Sequence, residues 1–246
     1  MKPGRGVLGR RTAALLGLAG AVLSGVGDVL ILGRPGSGRE FDEATGRIPP
    51  HIDVDPRWRS LWNGASFAPG RLHAGTLIGV AGIGALQWAG LHAAARAVPP
   101  GRLRRLATVS AAGFAVSGVL THLGCGAVIL AYGRAVDADA TDGRQASPRS
   151  ATTMLAVSAL GALGALALFS GAVIGAAARR PDTMPRGRAI VAPFPCVLAT
   201  LATFGMLPAP IGGYLRPASM SIGLALYFAV GAATTQEIAE AASSSR

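Results

Sequence analysis

The stretch LLGLAGAVLSGVGDVLILG, residues 15–33, is apolar or small at every position except Ser24 and Asp28. Its length is close to the ~20 residues that a helix needs to cross about 30 Å of hydrocarbon. A charged side chain at the centre of such a helix costs about 2.5–3.5 kcal/mol on insertion scales, and less near an end. The stretch therefore predicts a membrane span whose acid is paired inside the protein.

Five more apolar runs follow the first. Half of the 246 residues are hydrophobic and 14% are charged, compared with about 25% charged residues in an ordinary soluble domain. The charges lie between the runs, which is typical of a polytopic membrane protein. The sequence predicts an all-α transmembrane bundle that forms a single domain over residues 1–246, with six spans at about 12–33, 72–95, 106–133, 151–178, 189–208 and 217–236 and a long outer loop at 34–71.

The basic residues predict an orientation for this bundle. Residues 1–11, 96–105, 179–188 and 237–246 carry four, four, four and one Lys or Arg, thirteen of the 23 in the chain. Six of the other ten lie in the long loop 34–71, and long loops count little in the positive-inside rule. We therefore expect a protein of the cell (inner, cytoplasmic) membrane with both termini in the cytoplasm.

The net charge of +11 does not predict a nucleic-acid partner. The basic residues are almost all arginine and sit at the ends of apolar runs, without the aromatic interleaving or zinc-knuckle spacing of nucleic-acid binders. The expected partner is the lipid bilayer, together with a small-molecule or lipid ligand if the protein has one. The oligomeric state stays open, because the glycine pairs serve contacts within one chain or between chains equally well.

Two spans carry a polar residue on a stripe of small residues. At 100° per residue, Asp28 shares one face of the first span with Gly17, Ala21 and Ser24. On the third span a similar stripe contains His122, with Cys125 at its border: Ala111, Ala115, Gly118, His122 and Gly126. Because small-residue stripes mark close contact between membrane helices, we expect Asp28 and His122 to face the interior at a similar depth, near the outer surface.

These stripes predict a polar cluster. We hypothesise that Asp28 is paired with His122, or with Arg216 at the outer start of the last span. Cys125 shares a ligand face with His122, and His73 begins the second span at the interface. The candidate binding residues are therefore Asp28, His122, Arg216, Cys125 and His73. Their mixed ligand types are weak grounds for a metal, so neither a metal nor a cofactor is predicted.

Two further features have alternative interpretations. The corner LPAPIGGYLRP, residues 207–217, has the prolines and glycines of a broken helix, and it is either the mouth of a pocket or a tight outer turn. Gln87 and Trp88 lie in the second span, and we interpret both as packing residues rather than ligands.

The segments SGVGDVLILG (24–33), HAGTLIGVAGIGALQWAGLHAAARAV (73–98), SGVLTHLGCGAVILAYG (117–133) and LPAPIGGYLRPASMSIGLALYFAV (207–230) carry a resemblance. They resemble a group of uncharacterised bacterial six-helix membrane proteins, chiefly at Gly27-Asp28, His122 and the Pro/Gly corner. The resemblance implies fold and membrane location, and no substrate or catalytic residue. In the last span, which has SMSIG where an Asn is expected, any polar role falls to Ser219 or Ser221.

No motif in the chain names a reaction: GxSxG, HExxH and HxxxH are absent from the spans. Three classes of function stay open, and whether the protein is an enzyme is one of the open points. The first is a small-solute transporter or ligand-binding bundle that uses Asp28 and His122. The second is a membrane enzyme acting on a lipid or isoprenoid substrate. The third is a structural or partner-binding bundle in which the buried pair fixes helix register.

Overall fold

The computed structural model describes residues 4–33, 69–137, 149–179, 191–208 and 211–244. Every regular element in these ranges is helical, which confirms the all-α prediction. In chain order the elements are α1 (Gly4–Leu32), α2 (Pro69–Ala81), a π-helical turn (Gly82–Gln87), α3 (Trp88–Ala97), α4 (Arg102–Asp137), α5 (Arg149–Arg179), α6 (Pro193–Gly205), α7 (Ile211–Leu215) and α8 (Ser219–Ser244).

Four helical segments are long and apolar enough to cross a membrane, and they coincide with the first four predicted spans: Gly9–Leu32, Gly70–Ala97, Arg102–Val128 and Thr153–Arg179. The fifth and sixth predicted spans correspond to the shorter apolar helices Pro193–Gly205 and Ser219–Thr235. Length alone establishes four spans and not six. Most of the predicted outer loop lies outside the described residues, and α2 begins at Pro69, before that loop was expected to end.

The long helices form a closed ring. α1 packs between α8 and the segment made of α2, the π turn and α3; α4 lies on the other side of that segment, and α5 and α6 lead back to α8. Large side chains fill the interior, among them Phe114, Phe169, Phe228, Leu91, Leu166 and Leu224. Apolar side chains also cover the outside, where Val109 and Leu160 are each 70% exposed. An apolar exterior of this kind fits a lipid environment rather than water.

Glycines bring α1 and α2 into backbone contact. A Cβ at Gly27 would lie 2.7 Å from the carbonyl oxygen of Gly75 and 2.9 Å from the amide nitrogen of Gly79. Only glycine fits at this distance, as at other tight crossings between membrane helices. The predicted stripe of small residues on the second span is therefore the surface on which α1 lies.

The π turn interrupts the second apolar segment at Gly82–Gln87. Such a turn is wider than an α-helical turn, and it is common at functional sites. Gly20 of α1 lies against it, because a Cβ at Gly20 would be 2.6 Å from the carbonyl oxygen of Gly82. At its end, Gln87 has a fully buried side chain that faces α1.

The Pro/Gly corner is a tight turn in its described part, residues 207–208 and 211–217. α6 ends at Gly205, and the amide of Gly212 donates to the carbonyl oxygen of Pro208 at 2.8 Å. The guanidinium of Arg216 donates to the carbonyl oxygen of Leu207 at 2.6 Å and closes the turn from the other side. Of the two interpretations of this corner, the structure favours the tight turn over the mouth of a pocket.

Candidate functional site

An aspartate and a histidine from different helices meet inside the bundle. Oδ1 of Asp28 on α1 lies 3.1 Å from Nε2 of His122 on α4, and the two side chains are 17% and 8% exposed. Nε2 is buried but poorly aligned for a hydrogen bond, so the contact is an ion pair by distance when the ring is protonated. The hypothesised contact between these two residues is present in the structure.

His122 reaches Asp28 because Gly79 leaves room for the ring. α1 and α4 make little direct contact, since α2 and the π turn lie between them. The imidazole lies directly over Gly79, and a Cβ at that position would overlap it. The site therefore depends on a glycine that belongs to neither of the two helices that carry the pair.

Three more side chains extend the pair into a continuous polar chain. The hydroxyl of Ser221 on α8 donates to Oδ2 of Asp28 at 2.8 Å. Oγ of Ser24 lies 3.0 Å from Oγ of Ser221, and Nε2 of Gln87 donates to Oγ of Ser24 at 2.5 Å. We call Gln87, Ser24, Ser221, Asp28 and His122 the polar chain. It joins α1, α4, α8 and the π turn through side chains alone.

The donors along the polar chain point towards the carboxylate. An amide nitrogen only donates and an ionised carboxylate only accepts. Since the Ser221 hydroxyl is used on Asp28, the Ser24 hydroxyl donates to Ser221 and itself accepts from Gln87. The Ser24 hydroxyl also lies 3.1 Å from the carbonyl oxygen of Ala21, which is its alternative acceptor. The first arrangement stabilises the ionised form of Asp28, because aligned hydrogen bonds polarise one another.

The far end of the polar chain has an unused acceptor. The Gln87 amide nitrogen also donates to the carbonyl oxygen of Gly20 at 3.2 Å. Its oxygen Oε1 is buried and accepts no hydrogen bond from any residue that the structure describes. A buried polar atom without a partner costs about 1–3 kcal/mol, so this position is a costly one unless it is used.

The surroundings of His122 provide an acceptor near each ring nitrogen. Nδ1 lies 3.3 Å from the carbonyl oxygen of Gly118, and Nε2 faces Asp28. A protonated imidazole has two N–H donors and a neutral one has a single donor. The site therefore accommodates both protonation states of His122, and only the protonated ring uses both acceptors.

Arg216 is not the partner of Asp28, and this corrects the second hypothesis for that acid. Its side chain is exposed, and Nε and Nη2 donate to the carbonyl oxygens of Phe204 and Leu207 at 3.4 and 2.6 Å. The last carbonyl groups of a helix have no partners within it, and cations there also interact favourably with the helix dipole. Arg216 therefore caps the end of α6.

The other two candidates lie outside the polar chain. Cys125 is partly buried and packs against Ile31 and Leu72. His73 is exposed near the start of α2, where an interfacial residue was expected. Within the described ranges, no three His, Cys, Asp or Glu side chains are arranged to hold a metal ion, the set of Asp28, His122 and Cys125 included.

Sequence reasoning missed two contributors to this region. Gln87 was interpreted as a packing residue, although an amide inside an apolar span is a signal for a buried hydrogen bond. Arg71 was not considered, and Nη2 of its side chain donates to the carbonyl oxygens of Val29 and Gly33, both at 2.8 Å. It caps the end of α1 one turn beyond Asp28, and no local pattern links those positions.

Comparison with known proteins identifies a family. Neither the curated proteins nor the solved structures contain a match to this chain. Residues 9–237 match a family of unknown function, DUF6796, so that every residue of the polar chain lies inside the matched region. The chain thus belongs to the family of unknown function DUF6796.

Proposed function

We propose that this protein is a small-solute transporter that crosses the membrane six times and uses Asp28 and His122 as its proton-binding centre. The observation that carries the proposal is the polar chain, because it ends in an ionisable pair and links three membrane helices with the π turn. Ionisable residues inside membrane spans are rare, and they commonly mark ion pathways and proton relays.

Protonation of Asp28 would change several contacts at once. The carboxylate faces His122 on one oxygen and accepts from Ser221 on the other. Hydrogen bonds to charged groups contribute about 1.5–3 kcal/mol each, and a difference of about 1.4 kcal/mol changes a two-state ratio tenfold. Proton binding at this pair is therefore strong enough to shift α1, α4 and α8 between two arrangements.

Two features of the fold support such a movement. The π turn places a wide, weakly bonded segment at the inner end of the polar chain. α6 and α7 form a broken helix, of the kind that transporters use where the backbone lines a cavity or is covered by protein. The short helices α6 and α8 complete six crossings when α7 and the corner also lie within the membrane.

The proposed orientation puts both termini in the cytoplasm of a cell whose inner membrane holds the protein. It rests on the excess of basic residues in the loops at the start of α1, between α3 and α4, and after α5. In that orientation Asp28 and His122 lie near the outer surface, so the proton enters from outside.

Proteoliposomes that contain the pH-sensitive dye pyranine test this function. Individual amino acids, sugars, nucleosides, organic acids and metal cations are added outside, and proton entry is followed by fluorescence. We expect at least one solute to drive proton entry in the natural protein and none in Asp28→Asn. Arg216→Gln is the matched control, since its site is a helix cap and its transport should be unchanged.

A folded protein that moves no protons with any solute would contradict the proposal. If Asp28→Asn also failed to fold in that case, the pair would be a fastener that fixes the register of the helices. If a solute drove equal proton entry in the natural protein and in Asp28→Asn, transport would stand but the proton would bind elsewhere.

A further inference from the structure

A partly enclosed cavity of about 90 Å³ lies at the opposite end of the bundle from the corner at 207–217. α1, α3, α5 and α8 form its walls, and residue 191 also contributes. Its lining includes Arg10, Ala14, Ala94, Tyr227, Gly231 and Thr235. None of the residues of the polar chain lines it, so this cavity is separate from the site of the proposed transport function.

The walls of the cavity are suited to an apolar occupant. Alanine, glycine, valine and aromatic side chains make up most of the lining. The two threonine hydroxyls are used within α8, since Thr234 donates to the carbonyl oxygen of Val230 at 3.0 Å and Thr235 to that of Gly231 at 2.7 Å. The cavity therefore holds a run of methylene groups better than a polar solute.

Arg10 is the charged residue of the lining. Its side chain is exposed, and no carboxylate among the described residues pairs with it. The cavity thus combines apolar walls with one cation at its edge. An occupant that satisfies both has a hydrocarbon chain and a negatively charged head.

The surrounding end of the bundle is basic. The arginines that the structure describes there are Arg10, Arg11, Arg96, Arg102, Arg104, Arg105 and Arg179, whereas the other end has Arg71 and Arg216. Anionic lipid headgroups attract such clusters, with about 1 kcal/mol per basic residue near the surface. The charge of this end matches a phospholipid rather than a neutral lipid or a free fatty alcohol.

We infer that this cavity binds one acyl chain of an anionic phospholipid, with the lipid phosphate paired with Arg10. Gly231 sets the space available to the chain. A Cβ at that position would meet only the Cβ of Ala14, at 4.0 Å. A larger side chain at Gly231 would therefore extend into the cavity and take the place of the acyl chain.

Lipid titration of the purified full chain in detergent tests this inference. Phosphatidylglycerol, phosphatidylcholine and inorganic phosphate are added separately, and the thermal unfolding midpoint and the bound lipid seen by native mass spectrometry are measured. We expect phosphatidylglycerol alone to raise the midpoint and to remain bound. Equal binding of phosphatidylcholine, or a shift with phosphate alone, would overturn the inference.

Two pairs of variants locate the lipid. Arg10→Gln should bind phosphatidylglycerol about five-fold more weakly, the loss of one surface cation, whereas Arg11→Gln, outside the lining, should bind normally. Gly231→Leu should abolish binding, whereas Gly164→Leu, at an exposed glycine with nothing within 4 Å, should retain it.

Equal losses in the two arginine variants would show a general basic surface and refute the site. Retained binding in a folded Gly231→Leu would place the lipid outside the cavity. Gly231→Ala has room for its Cβ and gives the same comparison, with a smaller loss, if the leucine variant does not fold. Transport by Asp28 and His122 does not enter these measurements, so either proposal can fail without the other.

Discussion

Gly79 of α2 lies face to face with the imidazole of His122, and a single methyl group at residue 79 would overlap the ring. The contact between Asp28 and His122 passes through the space that this glycine leaves. The second span is thus part of the site although it contributes no polar group at that point.

Substituting Gly79 by Ala should disrupt the pair without touching either member. Overpacking of a close-packed interior costs typically about 1–3 kcal/mol, so the unfolding midpoint in detergent should fall and proton binding by His122 should change. Gly70→Ala on the same helix is the control, because nothing lies within 4 Å of its Cβ. Equal effects of the two substitutions would contradict the role of Gly79.

Asp28 and His122 should be energetically coupled. In a double-mutant cycle with Asp28→Asn and His122→Gln, residues in contact show coupling of about 0.5–3 kcal/mol. Reversible unfolding in mixed micelles measures it. A parallel cycle of Asp28→Asn with Arg216→Gln should give no coupling, because the hydrogen bonds of Arg216 go to α6. Coupling only in the second cycle would reverse this assignment of partners.

Ser24 and Gln87 should contribute less than the ionisable pair. Hydrogen bonds between membrane helices average about 0.6 kcal/mol and reach about 1.7 kcal/mol, so Ser24→Ala and Gln87→Leu should be coupled within that range. Ser24→Ala should also weaken the dependence of proton binding on Gln87→Leu, since Ser24 is the link. Additive effects of the two substitutions would show that the polar chain is not continuous.

Arg71→Gln should loosen the last turn of α1. A cation at a helix C-terminus contributes about 0.3–1 kcal/mol, and Arg71 holds the carbonyl oxygens of Val29 and Gly33. Hydrogen exchange of the amides near Leu32 should become faster. Arg216→Gln should instead affect the end of α6, and faster exchange at α1 in that variant would argue against two separate caps.

Reporter fusions should settle the orientation and the number of crossings. A periplasmic alkaline phosphatase should be active when inserted at residue 50, and inactive at residue 100 and after residue 246. Six crossings with cytoplasmic termini require this alternation. Activity at the C-terminal fusion would indicate an odd number of spans.

The first four spans and the inward stripes followed from the sequence because they depend on length and on 100° steps along one helix. The same steps placed Asp28 and His122 on interior faces. Gln87 was misjudged because the π turn shifts the faces that follow it. Arg216 was misassigned because the carbonyl groups that it caps belong to the backbone, which a residue pattern does not display.

The π turn at Gly82–Gln87 has a consequence for comparing members of this family. A π turn is an α-helix that has accommodated one extra residue, so a sequence with one residue fewer here is a change of phase rather than a truncation. Everything after it would rotate by about 100°. A family member with such a gap can face α1 with an amide only if that amide is moved along its sequence, so a residue-by-residue alignment across this turn would hide the equivalent of Gln87.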